Sequence, residues 1–406
     1  MTKTIFLAGA LLAATPTLAR EPAVPAGLRV DRVVMLMRHG VRPPTKAPPM
    51  PAGTAIERWP DWPVAPGYLT PHGAAAIRRV GGYDRTAWTA LGLLARSGCP
   101  KVRIVADSDQ RTIETARHYA AALVPGCTIT TEHRPQDVAD PIFSPIDERA
   151  TTFDAEAARK AVLAAAGPGG IAAEERRLAP LIERLDTILC QRAKPDCGVA
   201  ASGPSDLAPA RPGKRPKLTG TLDRASTAAQ ILLLEYAEDK SMPQVGWGRA
   251  TAGDIASLSE FHAVEFRLLA RPSYVTRANL ALIAPLIADA ITKPDGAVIT
   301  MLSGHDTNVA SLGGLLDLHW QVPGLATDDP SPGGAIVFER LTDRSGKHYV
   351  RALYRSQTVD QIRDLTALTG KASPYVAVLP IAGCSARGIN GLCSAEQFAT
   401  ALAVQR

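Results

Sequence analysis

Two imidazoles and three guanidiniums fall in a pattern suited to an anion. Arg38-His39-Gly40-Val41-Arg42 sets a histidine between two arginines, with Thr45 and Lys46 just beyond. Asp107, Asp109 and Arg111 make a second polar cluster, and Gly304-His305-Asp306-Thr307 makes a third. If the three clusters met, their positive charge would repel itself unless an anion sat among them. A phosphoryl group fits, because arginine meets it bidentately and stays charged. No G-x-x-x-x-G-K-[ST] loop is present, so Gly313-Gly314 reads as a packing or turn signal. His72, His118, His133, His319 and His348 are isolated and lack metal-ligand spacing, so they read as core or surface. His262 could reach the cleft from a neighbouring helical region.

The elements that must carry these groups are legible as short apolar runs. Arg32 to Met37 reads as a buried strand ending at Arg38-His39-Gly40; Val102 to Ala106 leads into Asp107, and Val298 to Leu302 ends at Ser303-Gly304-His305. Ala335 to Phe338 and Tyr349 to Tyr354 are further strand candidates, and helical periodicity follows at Thr112 to Leu123 and Thr307 to Leu316. Strands alternating with helices imply an α/β fold, a mainly parallel sheet with helices on both faces. In open α/β sheets ligands bind beyond the carboxyl ends of the strands. The middle reads as helices: Ala155 to Ala166, Ala172 to Leu189, Leu222 to Ala237, Ala252 to Leu269 and Val275 to Thr292. The expected organisation is an α/β catalytic domain, 20–150 with 291–406, interrupted by a mostly α-helical insert, 151–290. Pro43 to Pro66 is a long Pro-rich loop, and Gly198 to Lys217, rich in Pro, Gly and basic residues, reads as an exposed loop.

Arg38-His39-Gly40-Val41-Arg42-Pro43-Pro44-Thr45 resembles the R-H-G-x-R-x-P signature of the histidine acid phosphatases, and Ser303-Gly304-His305-Asp306-Thr307-Asn308 resembles that family's distal His-Asp element. Trp62-Pro63-Val64, Leu69-Thr70-Pro71-His72-Gly73, Asp107 to Arg111, Gly246-Trp247-Gly248-Arg249 and Pro332-Gly333-Gly334 extend the likeness in the order found in bacterial periplasmic phytases and glucose-1-phosphatases. The resemblance implies a phosphoglycerate-mutase-like fold and hydrolysis of phosphomonoesters without cofactor or metal. It implies that His39 attacks phosphorus to give a phosphohistidine. It also implies that Arg38, Arg42, Arg111 and His305, with Thr45, hold the phosphate. Asp306 would protonate the leaving oxygen and must then begin protonated, which favours acidic working pH. The glycine after His39 leaves room for the backbone to turn close to the ligand. Lys46 would be a rim charge, and Asp107 and Asp109 would orient arginines. Phytases of this group typically carry His-Asp-Thr and the glucose-1-phosphatases His-Asp-Ser, so Thr307 favours phytate, myo-inositol hexakisphosphate. The rivals are a sugar phosphatase of the glucose-1-phosphatase type, a phosphoglycerate-mutase-like phosphotransferase and a non-catalytic phosphate-ester binder.

Composition agrees with an exported enzyme. Lys3, the apolar run Ile5 to Ala14 and the small-x-small Thr17-Leu18-Ala19 read as a signal peptide over 1–19, giving a periplasmic or secreted protein. Six cysteines allow 15 pairings, and they fall into three local couples: Cys99 and Cys127, Cys190 and Cys197, Cys384 and Cys393. No C-x-x-C is present, which argues against zinc. Related bacterial phytases often have a fourth disulfide at the C-terminal tail, so the tail here is expected to be looser. With 46% hydrophobic and 21% charged residues, the chain of 406 can bury a large core, which excludes disorder or coiled coil as its main state. A net charge of +6 with only 5% aromatics suits a small anionic ligand better than a nucleic acid or a membrane, and a monomer is favoured.

Overall fold

The computed structural model describes residues 21–95, 98–192 and 196–403; the expected leader, 1–19, lies outside the described residues. The chain runs β1 (Leu28–Arg38), α1 (Pro71–Ala90), β2 (Val102–Ala106), α2 (Gln110–Leu123) and β3 (Thr131–Glu132). A helical stretch follows: α3 (Ala155–Ala166), α4 (Gly170–Arg177), α5 (Ala179–Cys190), the short strands β4 (Asp206–Leu207) and β5 (Leu218–Thr219), then α6 (Thr221–Ala237), α7 (Ala252–Leu269), α8 (Ser273–Asn279) and α9 (Ile283–Thr292). The chain then returns to the sheet with β6 (Ile299–Gly304), α10 (Asp306–Leu315), β7 (Ala335–Asp343), β8 (His348–Ser356), α11 (Val359–Arg363), β9 (Tyr375–Leu379), β10 (Cys393–Ser394) and α12 (Ala395–Leu402).

The strand order is β10-β8-β7-β1-β6-β2-β3, with β9 also paired to β8. Val33 to Met37 of β1 are all fully buried. Successive side chains of a strand point to opposite faces. Accordingly Val33, Met35 and Met37 pack in the core beneath α1 and α2, whereas Val34 and Leu36 join the core shared with the middle helices. A strand apolar on both sides is what a sheet covered on both faces requires.

The α/β class with helices on both faces is as expected, but the sheet is mixed rather than mainly parallel. β1, β6, β2 and β3 are parallel, while β7 pairs antiparallel with β1 and β8, and β8 antiparallel with β9 and β10. The β7–β8 connection spans only residues 344–347, too short for the crossover a parallel pair needs.

Two expected helices are each broken in two. A proline clashes with the carbonyl four residues before it, and it is tolerated only in a helix's first turn. Pro180 and Pro285 therefore sit in the first turns of α5 and α9. The Gly198 to Lys217 stretch is not all loop, since β4 and β5 pair antiparallel into a hairpin that Ala208 N extends by donating to Lys217 O at 2.8 Å. The six cysteines form the three local couples as disulfides, Cys99–Cys127, Cys190–Cys197 and Cys384–Cys393. Among the described residues no single helix is long and apolar enough to cross a membrane.

Candidate active site

Three parallel strands end level with one another. Arg38 of β1 lies opposite Gly304 of β6, and Ser303 of β6 lies opposite Ala106 of β2. The backbone keeps this alignment one residue further: His39 N donates to Gly304 O at 3.0 Å, and Asp107 N to Ser303 O at 3.0 Å. The clusters that the sequence separates by hundreds of residues thus converge, and the His39 and His305 rings stand 5.6 Å apart, edge to face. Arg111 enters from the first turn of α2, and Asp306 is the first residue of α10. Gly304 is needed here, because a Cβ would stand 2.7 Å from Asn308 Oδ1 and 3.0 Å from the Phe143 ring. Asn308 in turn accepts from His305 N at 2.9 Å and donates to Phe143 O at 3.0 Å, fixing the turn into α10.

His39 is only 1% exposed. Its Nδ1 donates to Gly40 O at 2.8 Å, so Nε2 keeps its lone pair, toward which Arg42 Nε points from 3.5 Å. Burial, then Arg42, Arg111, Arg38 and His305, push His39 well below the usual histidine value. The ring therefore keeps its neutral form below the usual histidine range. Burial and the neighbouring Arg111 push Arg42 down to about 9, which leaves it charged across the acidic range. Arg38 is held by Pro330 O at 2.5 Å, Gln230 Oε1 at 2.6 Å and Asp306 Oδ2 at 3.1 Å. The Nε atoms of Arg38 and Arg111 are buried without a partner among the described residues. Such unpaired donors are costly in a protein interior and mark a site built to receive an acceptor.

Asp306 departs from expectation. Burial raises its carboxyl, but Arg38, with His262 and Arg42, outweighs burial and holds it well below the usual carboxylate range. Thr307 N donates to Asp306 Oδ1 at 2.8 Å, and the N-terminal end of α10 adds to the same effect. In the free site Asp306 is ionised and does not begin protonated. Gly40 departs too: a Cβ there would meet Leu69 Cδ1 at 2.9 Å and Ile77 Cγ1 at 3.0 Å, so the room it leaves is for α1 and the loop before it, not for a ligand. Asp109 orients an arginine, accepting from Arg111 at 2.6 Å, but Asp107 accepts from His305 Nε2 at 2.5 Å and so orients a histidine. Burial works against the Asp107 charge, but the His305 hydrogen bond and charge, Ser108 N and Arg111 together outweigh it, leaving Asp107 below its ordinary value. Asp107, Asp109 and His305 are the group whose ligating atoms lie within 4.8 Å of one another, but those atoms are engaged in these hydrogen bonds.

Arg42, Thr45, Lys46, His262, Asp306 and Thr307 line a cleft of about 570 Å³. His262 reaches it from α7 with Nδ1 donating to the buried Asp329 at 2.5 Å and Nε2 3.9 Å from Asp306 Oδ2. Asp329 and Gln230 escaped sequence reasoning. Gln230 was the more visible, a lone amide before the apolar run Ile231 to Leu234; Asp329 gave no signal beyond the Asp328-Asp329-Pro330 turn.

The comparisons with known proteins agree with this geometry. The family model described as histidine phosphatase superfamily (branch 2) matches residues 29–201 and 248–355. Phytase AppA of Escherichia coli (strain K12) is 36% identical over 96% of this chain and 94% of its own length. A glucose-1-phosphatase of Providencia rettgeri is 30% identical over 98% and 97%. The Hafnia alvei phytase solved with tartrate superposes with a TM-score of 0.85 at 34% identity, covering 93% of this chain and 97% of that one. The same phytase, solved with myo-inositol hexakis sulphate, superposes at 0.83 with 32% identity, covering 93% and 97%.

Proposed function

The chain belongs to branch 2 of the histidine phosphatase superfamily as a histidine acid phosphatase, and from that premise we propose that it hydrolyses phytate through a phosphohistidine on His39. The observation that carries this reading is the buried His39, its Nδ1 tied to Gly40 and its Nε2 facing Arg42 at the long distance of 3.5 Å, standing among three guanidiniums. Nε2 attacks phosphorus as the bond to the leaving oxygen breaks. Arg38, Arg42 and Arg111, with His305 and Thr45, stabilise the charge on the phosphoryl oxygens; phosphoryl transfer needs mainly alignment and such charge. Because Asp306 is ionised in the free site, its proton arrives with the substrate. A phosphomonoester keeps one proton below its second pKa of about 6, and the entering anion offsets the arginines that hold Asp306 down. Asp306 passes that proton to the leaving oxygen, then takes one from the water that breaks the N–P bond. The two walls of the cleft would come from the α/β part, 20–150 with 291–406, and the helical insert, 151–290.

Phytate is favoured over a sugar phosphate by Thr307 after His305-Asp306, by the higher identity to a phytase than to a glucose-1-phosphatase, and by the solved phytase that holds an inositol hexasulphate. Three disulfides support export to an oxidising compartment. One purified preparation assayed on phytate, glucose 1-phosphate and p-nitrophenyl phosphate at about pH 3 to 6, the range around carboxyl pKa values, tests the reading. The highest kcat/KM should be on phytate. A preference for glucose 1-phosphate would make it a sugar phosphatase. Transfer to an acceptor in place of phosphate release would point to a phosphotransferase, and binding without release to a non-catalytic binder.

A further inference from the structure

We propose that the β4–β5 hairpin forms a second anion subsite, which holds phosphate groups of a polyphosphorylated substrate that are not being cleaved. The inference rests on the phosphatase reading and deepens it. The catalytic cleft adjoins a second cavity of about 640 Å³, and the two share Lys217, Asp223, Glu265, Phe266 and Thr307. The passage therefore starts beside Asp306 and runs past Thr307 to the hairpin. Arg211, Lys214, Arg215 and Lys217 lie on the hairpin's connecting segment, all exposed, and all four line the second cavity with Arg159 of α3. Asp147 braces two of them, standing 3.1 Å from Lys214 Nζ and 3.4 Å from Arg215 Nε. Lys217 Nζ is a loose 3.9 Å from Asp223, and among the described residues Arg159 and Arg211 have no carboxylate within 4.0 Å. Five basic groups face three carboxylates: Asp147 and Asp223, already paired with them, and Glu265, which accepts from Ser226 and whose carboxyl burial pushes up.

Such a wall has no use for a simple monoester, whose one phosphate is taken up at Arg38, Arg42 and Arg111. A hexaphosphorylated ring presents five further phosphates, and those nearest Thr307 point along the cleft toward the hairpin. The hairpin also lies within 202–247, between the two stretches that the family model matches, so the family match does not rest on these basic residues. The subsite selects by charge count: it strengthens binding of polyphosphates without touching the reacting phosphorus.

The test is the triple variant Arg211→Ala, Lys214→Ala, Arg215→Ala, which leaves the catalytic cleft's own lining intact, read on phytate and on p-nitrophenyl phosphate. KM for phytate should rise about fivefold or more, the scale of a few exposed ion pairs, with kcat little changed and a weaker dependence on salt. Kinetics on p-nitrophenyl phosphate should stay as in the unaltered enzyme. Unchanged KM for phytate, or an equal loss on both substrates, would overturn the subsite while leaving the phosphatase reading standing. No hydrolysis of either ester by the unaltered protein would instead overturn the phosphatase reading. Calorimetric binding of myo-inositol hexakis sulphate reads the subsite without turnover: weaker binding by the variant supports it, and equal binding refutes it.

Discussion

Tied through Nδ1 to the Gly40 carbonyl and buried among Arg38, Arg42 and Arg111, His39 keeps the lone pair on Nε2 well into the acidic range. A histidine at its ordinary value of 6.5 would lose that lone pair to a proton as the pH fell through 6.5. We therefore expect kcat/KM to show no acid-side loss near that value, and to fall on the alkaline side above about pH 6, where the ester gives up its second proton. A pH–rate profile with its acid limb centred on the ordinary histidine value would contradict this picture of His39. Asp306 makes a separate prediction. Asp306→Asn should lower kcat on phytate or a sugar phosphate by about 10² to 10⁴, the usual worth of a general acid. It should lower kcat on p-nitrophenyl phosphate far less, since that leaving group needs no proton. Equal losses on both would show that Asp306 does not carry the proton.

α6 supplies Gln230 to Arg38 and, one and a half turns later, buries Glu235. Burial pushes the Glu235 carboxyl up from an ordinary 4.5 to about 8, against a weaker pull from Gly246 N and Lys240. A group raised on folding binds its proton more tightly in the native state. Its contribution to stability is full below about 4.5 and is lost as the pH rises to about 8. Melting temperatures taken across that window should fall with rising pH in the native protein and fall less in Glu235→Gln; identical slopes would contradict the assignment. The elements around the site differ in how far their sequence revealed them. β1, β2 and β6 were legible because each apolar run stops abruptly at polar residues. The directions of β7 and β8 were not, because alternation and apolarity are the same for parallel and antiparallel neighbours. α1 raised no apolar stripe in the sequence, since its buried side includes Gly73, Ala74, Ala76 and Gly81. Asp329 and Gln230 act through contacts that exist only once distant helices and loops have packed, so even the lone amide of Gln230 did not reveal its partner in the sequence.

Across the whole molecule, three strand ends from residues 38, 106 and 304 meet at one level, and the charge that gathers there is organic. Activity should accordingly survive dialysis against EDTA; a loss restored by a divalent cation would show that the Asp107, Asp109 and His305 cluster holds a metal during turnover. The three disulfides close separate local loops, with separations of 28, 7 and 9 residues. Replacing Cys99 and Cys127 together by serine should cost stability, about 2 to 4 kcal/mol by chemical denaturation, with kcat on folded protein unchanged. A kcat that fell with the melting temperature still high would tie that disulfide to the site. The central claim is that this convergence makes His39 the group that takes the phosphoryl. Rapid acid or alkaline quench during turnover of a ³²P-labelled monoester measures it directly. The account predicts a labelled, acid-labile and alkali-stable phosphoenzyme in the native protein, absent from a folded and inactive His39→Ala. Label retained by His39→Ala, or turnover there at the native rate, would contradict it.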